Sequence, residues 1–401
     1  MSVVSIANKR SKIQPRIKIG LLRLTDSAPV ILAQEFGFFA EENVDVELIA
    51  EPSWANIADK LAYGLIDAAV IVPPLAFAVE LGLRGAAQKL IIPITISLGG
   101  NTVTLNTTLA NSVRATAAKE NISVAKSLAH TLREHASEPL VLGVVHPYST
   151  HNLLLRYWLA AAGIDPVRDV RLAVVPPAQA VDALQVGRIA GFCAGAPWGE
   201  VAARAGVGAT VATTRDIWQN APEKAFAVRA RWAEDYPEAL QGVLRALLRA
   251  AKFCDAPENA SYTAALLSRH RYVDVDSHAI MPSLPGGAIA RDNVSGFFRH
   301  AATFPFLSHA QWFLHEMRRW NLIAPDLSVP ALAGRVYRPD LYRAAAASLG
   351  ISAPRDNVKL EGAHPTAWEL DGTMGVIAMG PDRFCDGAVF VAPSLSGIPA
   401  A

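Results

Sequence analysis

Between Arg16 and Val72 the chain switches repeatedly between two-residue and helical periods, and this alternation constrains the fold more than any single motif. Arg16 to Leu22 (RIKIGLL) alternates basic and apolar side chains as a strand entering a sheet does. Ser27 to Phe36 reads as a helix, with Asp26 or Ser27 as N-cap, Pro29 in its first turn and Gly37 closing it. Val44 to Ala50 is again an alternating strand, Ile57 to Gly64 a short helix, and Ala68 to Val72 a fully apolar strand. Strands joined through single helices run mostly parallel, so the pattern predicts an α/β fold.

The pattern returns in the middle of the chain. Leu140 to Val145, Val170 to Val175 and Gly191 to Cys193 read as strands, with helices over Thr150 to Ala162 and Ala178 to Val186. Residues 113–139 and about 225–235 read as crossings between two such units. After Pro237 helices dominate: Ala239 to Cys254, Ser261 to Arg269, His309 to Trp320 and Leu341 to Ala347. The expected organisation is a mobile 1–15, a first lobe from 16–112 plus 236–350, a second from 113–235, and a C-terminal extension, 351–401, packed on both.

Composition narrows the function. The 401 residues include 37 basic and 36 acidic side chains, a formal charge of +1, so no broad basic field draws nucleic acid. Ala68 to Val79, the best apolar stretch, is short and carries Pro73-Pro74, so no membrane span is expected. Met1 to Pro15 holds Lys9, Arg10 and Lys12 without an apolar run behind them. Three scattered cysteines, Cys193, Cys254 and Cys385, suit a reducing compartment. Both point to the cytoplasm.

Five groups then stand out as hydrogen-bond donors. Trp54 lies in a polar turn at a strand's carboxyl end, where open α/β sheets place ligand crevices, although a lone tryptophan there more often packs. His151 opens a helix behind Ser149 or Thr150, and a helix N-terminus favours negative charge; a solvent-facing histidine on a capped helix fits equally well. Gly195 ends a buried strand, where a main-chain N–H can approach a ligand, or simply turns the chain before Pro197. Lys224 sits in a polar turn before an apolar strand, a place where most lysines are solvated. Asn101 supplies a carboxamide. A cleft lined only by donors suits a small anion.

Enzyme signatures are missing. No GxxxxGK loop or GxSxG elbow occurs, and Gly206 to Val211 lacks the third glycine of a dinucleotide loop. His315-Glu316 is followed by Arg319 where a zinc helix needs its second histidine. The pairs His130/His135 and His146/His151 are misspaced for a helical metal clip. No carboxylate pair has a spacing that suggests acid–base work. Neither enzymatic activity, a cofactor nor a metal is expected.

Taken together, Leu22 to Pro29, Gly37-Phe38-Phe39, Ser53 to Gly64, Tyr157 to Pro166 and Gly191 to Gly199 resemble the nitrate/bicarbonate-binding proteins of the NrtA/CmpA type. The resemblance runs from about residue 16 to at least 330, and Met379 to Phe390 looks like that family's C-terminal segment. It implies a two-lobed, periplasmic-binding-protein-like fold of type II with the anion between the lobes. The family's anion-binding positions fall on Trp54, His151, Gly195, Lys224 and Asn101, the last a shorter carboxamide than the glutamine of nitrate binders. The bicarbonate branch replaces the lysine by an acid and recruits calcium, so Lys224 points to nitrate or nitrite without a metal.

Within the family, the missing leader resembles cytoplasmic nitrate sensors of the NasS type. That resemblance implies a partner: an RNA-binding, response-regulator-like antiterminator, sequestered until nitrate or nitrite binds. The alternative is the nitrate-binding component of an ABC transporter. Thiamine-precursor enzymes share this lobe architecture but need a cysteine-rich iron site that three scattered cysteines do not supply.

Overall fold

The structure is a computed structural model that describes residues 16–134, 139–287 and 295–393. Residues 1–15, expected to be mobile, lie outside the described residues. Ten strands build two five-stranded sheets. In chain order they are β1 (Arg16–Leu22), β2 (Asp45–Glu51), β3 (Ala68–Ile71), β4 (Leu90–Leu98), β5 (Asn101–Asn106), β6 (Leu140–Val144), β7 (Val170–Val174), β8 (Gly191–Gly195), β9 (Gly208–Thr213) and β10 (Pro222–Arg229). The first sheet has the order β2-β1-β3-β10-β4 and the second β7-β6-β8-β5-β9.

Each sheet is a parallel βαβ core with an invading antiparallel strand. β1 pairs parallel with β2 and β3, while β10 runs antiparallel between β3 and β4. β6 pairs parallel with β7 and β8, while β5 runs antiparallel between β8 and β9. The two invading strands are exchanged between lobes. β5 belongs to the second sheet although the chain has just left β4, and β10 belongs to the first although the chain has just left β9.

The lobe boundaries therefore differ from the expected 112/113 and 235/236. The chain crosses at Gly99-Gly100 and again over 214–221, and 225–235 is half central strand instead of connection. Residues 113–134 are no crossing either; they lie in helices Thr107–Glu120 and Val124–Glu134 of the second lobe. Gly99 and Gly100 adopt φ of +68° and +89°. A Cβ on Gly100 would also lie 2.5 Å from Ser295 Oγ, so only glycine fits this tight passage. The two crossings are tied together, because Gly99 N donates to Ala221 O.

Strand periodicity divides the first lobe's core. Ile17, Ile19, Leu21, Phe226 and Val228 pack on one face, against helices Ala28–Glu35 and Pro237–Asp255. Ala69, Ile71, Ala225 and Ala227 face the other way, toward Trp54–Ala62 and Pro73–Glu80. That second cluster continues through Val103, Leu142, Val144 and Phe192 into the second lobe.

The C-terminal segment seals the junction. Phe384 stacks on Trp218 of the second crossing (4.7 Å between centroids), and Trp218 meets Trp312 of helix Leu307–Arg319 at 4.6 Å. Tyr157 of the second lobe donates its hydroxyl hydrogen to Asp386, and Leu307 N donates to Asn357 O. No helix among the described residues is long and apolar enough to cross a membrane.

Candidate functional site

The exchange of β5 and β10 explains why residues so distant in sequence meet. In a parallel core the carboxyl ends of β1, β2, β6 and β8 share one edge. An antiparallel strand brings its beginning to that edge, so Asn101 at the start of β5 pairs directly with Gly195 at the end of β8. Lys224 at the start of β10 reaches the same place.

Local signals fix each side chain. Ser53 caps the helix that Trp54 begins, accepting from Asn56 N at 3.3 Å, so the helix starts three residues before the expected Ile57. Ser149 caps Thr150–Ala161 in the same way, accepting from Asn152 N at 3.1 Å and fixing His151 in the first turn. Irregular pairing with β4 on both sides of Lys224 breaks the strict alternation of β10. Such a bulge lets the consecutive Glu223 and Lys224 contribute to one cluster.

All five anticipated residues come together, deeply buried. Trp54 is 1 % exposed, Asn101 2 %, and His151 and Lys224 0 %. The Lys224 ammonium lies 5.6 Å from the centroid of the Trp54 ring. A Cβ built on Gly195 would sit 3.5 Å from both His151 Nε2 and Asn101 Oδ1. His151 is fully buried, not solvent-facing, and mere packing of Trp54 falls short on one point: its indole N–H, like both His151 ring nitrogens, has no hydrogen-bond partner among the described residues. A polar group left so costs about 1–3 kcal/mol, and two neighbours in that condition mark a place built to meet something polar.

Two residues that the sequence reading left out complete the cluster, and both are acids. Lys224 Nζ donates to Glu223 Oε1 at 2.6 Å and to Asp26 Oδ2 at 2.8 Å. Glu223 Oε1 also accepts from Thr150 Oγ1 at 2.5 Å, and its Oε2 accepts from Asn101 Nδ2 at 2.5 Å. A cleft lined only by donors is thereby corrected. Asn101 spends an N–H on Glu223 and turns its carboxamide oxygen, which has no partner among the described residues, toward Gly195. Asp26, read from the sequence as a helix cap, makes no cap bond. It lies in a buried 3-10 turn after β1, with Oδ1 unpaired among the described residues. The signal that could have found Glu223 is its adjacency to Lys224; nothing local marks Asp26.

The electrostatics follow from burial. Desolvation disfavours the Lys224 ammonium, but Asp26 and Glu223 together outweigh it and hold its pKa above the ordinary value. Burial raises the Asp26 carboxyl by more than Lys224 lowers it, with Glu223 adding to the rise. Burial first, and then Lys224, push His151 well below its usual range, so the imidazole is neutral at pH 7. Its Nε2 lies 3.5 Å from Glu223 Oε1, too far for a strong bond. The cluster can offer an indole N–H, an imidazole N–H and a cation to one small acceptor-rich molecule. No group of three or more His, Cys, Asp or Glu among the described residues could hold a metal ion.

Comparison with known proteins agrees with this architecture. Residues 11–268 match the model of the NMT1-like family. The nitrate/nitrite-binding protein NrtA of Nostoc sp. PCC 7120 is 33% identical over 365 residues, covering 87% of this chain and 80% of that protein. The nitrate import ATP-binding protein NrtC of Synechocystis sp. PCC 6803 is 32% identical over 366 residues. The chain spans 89% of itself in that match but about half, 52%, of NrtC. Among solved structures, the periplasmic nitrate-binding protein NrtA of Synechocystis PCC 6803 superposes with a TM-score of 0.81 at 28% identity, covering 94% of this chain and 95% of that one. The alkanesulfonate-binding protein SsuA of Xanthomonas axonopodis pv. citri, at 14% identity and a TM-score of 0.56, covering 82% of this chain and 97% of that one, shares the fold. By family model and by relatives alike, this chain belongs to the NMT1-like family, together with the NrtA proteins.

Proposed function

We propose that this chain binds nitrate or nitrite at the meeting edges of its two sheets, without a metal and without chemistry. The observation that carries the reading is the buried indole and imidazole, without partners among the described residues, beside a fully buried lysine. Nitrate is a planar, weakly accepting monoanion, so leaving water must be offset by several directed donors. Charge-assisted bonds contribute roughly 1.5–3 kcal/mol each and neutral ones about 1, so a lysine with two ring donors supplies a few kcal/mol. The names of the NrtA relatives support the same anion class. Titration calorimetry of the purified chain with potassium nitrate, nitrite and bicarbonate tests it. Heat from nitrate or nitrite and none from bicarbonate is expected; no heat from either nitrogen oxoanion ends the proposal.

For the use of that binding we propose regulation: a cytoplasmic sensor that releases an RNA-binding antiterminator when the anion binds. The support is the sequence resemblance, together with a two-lobed build in which the ligand joins surfaces from both lobes and can thereby bias a partner's site. The names of the NrtA and NrtC relatives favour the second reading, a nitrate-binding component of an ABC importer. Size-exclusion chromatography with the cognate antiterminator, with and without nitrate, separates the two. A complex that nitrate dissolves supports sensing; no nitrate-sensitive complex leaves import.

A further inference from the structure

Four charged or titratable groups crowd the proposed anion site: Lys224 and Glu223 from β10, Asp26 from the turn after β1, and His151 from the helix after β6. One ammonium faces two carboxyl groups. An anion that takes a share of Lys224 therefore joins an ensemble whose formal charge is already −1 if both acids are ionised. Glu223 is ill placed to give way, because its oxygens accept from Lys224, Thr150 and Asn101, and a proton there would displace a donor. Asp26 has one oxygen on Lys224 and the other without a partner among the described residues. It also borders the space an anion would use, since Oδ2 lies 3.6 Å from the Cβ position of Gly195. His151 is neutral and lies beside a cation, which opposes a second proton on the ring.

We infer that Asp26 is the proton acceptor of this site: the anion is taken up together with one proton, which rests on the Asp26 carboxyl. The balance is simple. Protein, anion and a solvent proton give a complex in which Asp26 is a neutral acid, Lys224 keeps its charge, and no covalent bond changes except the new O–H. Protonation removes the internal competitor for the ammonium and turns Asp26 into a donor toward the ligand. The inference rests on the anion-binding reading above. Burial supports it, because the same surroundings that disfavour the Asp26 carboxylate act in the same direction before an anion arrives.

Nitrate does not titrate between pH 6 and 9, so any pH dependence belongs to the protein. Calorimetry of the full chain with potassium nitrate, across that range and in two buffers of different ionisation heat, counts protons directly. The expected result is an uptake that rises toward one proton per anion as pH increases. The dissociation constant should then grow by about tenfold per pH unit. Asp26→Asn should bind with a flat pH profile and no uptake. A pH-independent affinity with zero uptake in the parent overturns the inference while leaving anion binding intact, and needs no variant. Uptake that persists in Asp26→Asn also overturns it, because the proton then belongs to His151 or Glu223. No heat at any pH sinks the anion reading itself.

Discussion

Two buried clusters in this protein are made from the same parts, and they behave oppositely. The first is Lys224 with Asp26, Glu223 and His151. The second joins the C-terminal segment to helix Leu307–Arg319 and consists of Lys359 with Glu361, Asp382 and His309. In the second the acids are thoroughly paired. Glu361 accepts from Ser308 Oγ at 2.6 Å and from Lys359, and Asp382 accepts from His364 N at 2.8 Å and from Lys359 at 3.2 Å. Although burial opposes ionisation, Lys359 and His309 hold the Glu361 carboxyl down at about 2. In the first cluster burial wins and Asp26 is raised. Among the described residues the second cluster leaves one ring nitrogen unmet, His309 Nδ1, and none of its carboxylate oxygens, whereas the first keeps an indole, an imidazole and two oxygens without protein partners. A lysine among acids is thus a fastener where the acids are fully paired, and a receptor where they are not.

Removing the receptor's cation should break the comparison most sharply. Lys224→Ala is expected to lower nitrate affinity at least a hundredfold by calorimetry, two charge-assisted bonds' worth of free energy. It also leaves Asp26 and Glu223 facing each other without a cation, so the melting temperature should fall at pH 8 and recover toward pH 5, as one acid takes a proton. An affinity within a few-fold of the parent would remove Lys224 from the site.

Gly195→Ala should come next. The added methyl meets only ordinary contacts at 3.5–3.6 Å from Asn101, His151 and Asp26, so the fold tolerates it. It would nevertheless stand where the unpaired groups converge. A loss of about tenfold or more in nitrate affinity with an unchanged melting curve is expected, since excluded ligand volume is felt strongly in packed sites. Full affinity would place the anion elsewhere.

Much of this was legible in the sequence, and the exceptions have a common cause. The alternation over 16–72 and 140–193 was readable because β1, β2, β3, β6 and β8 and their helices carry local periods. Trp54 and His151 were recoverable from the strand–turn–helix grammar around them. β4 (LIIPITISL) went unread because a long strand buried throughout has no alternation and Pro93 argues against one, and β5 (NTVTLN) because its polar side chains read as a connection until it pairs between β8 and β9. β10 was legible only in part, as a polar turn before an apolar strand within a crossing, because its first residues are Pro222, Glu223 and Lys224, a polar opening that makes sense only after the strand inserts between β3 and β4. Asp26, like Ser27, looked like a helix cap by local rules, and what it meets instead, Lys224 of β10 and the end of β8, comes from far along the chain. Strand exchange between lobes is a long-range event, and no residue window reports it.

Trp54→Phe tests the receptor half of the comparison by removing its one indole donor. A six-membered ring still reaches toward Lys224, so part of the ring–cation contact survives. The indole N–H, which has no protein partner among the described residues, is lost together with two ring carbons. A bond contributing about 1–1.5 kcal/mol corresponds to roughly a fivefold to tenfold weaker nitrate affinity. The phenylalanine protein should melt slightly lower than the parent, because the smaller ring leaves a gap at a fully buried position, and deleting an unsatisfied donor offsets only part of that cost. A lower melting point with unchanged affinity would make Trp54 a packing residue after all.

Glu361→Gln tests the fastener half, and its effect on binding should be nil. The folded pKa of Glu361, at about 2, lies below its ordinary 4.5. Its contribution to stability is therefore fully present above about pH 4.5 and is lost as pH falls toward 2. A shift of that size corresponds to an upper bound of roughly 3 kcal/mol. Asp26 has the opposite sign: folding favours its protonated form, so its unfavourable contribution develops as pH rises from about 3.8 to its raised value. Glu361→Gln should lower the melting temperature by several degrees at pH 7 and flatten the parent's loss of stability between pH 4.5 and 2. Nitrate affinity should stay within twofold, because the fastener makes none of the site's bonds. If affinity falls with the melting point, the C-terminal segment does more than seal the junction, and the two clusters are one device.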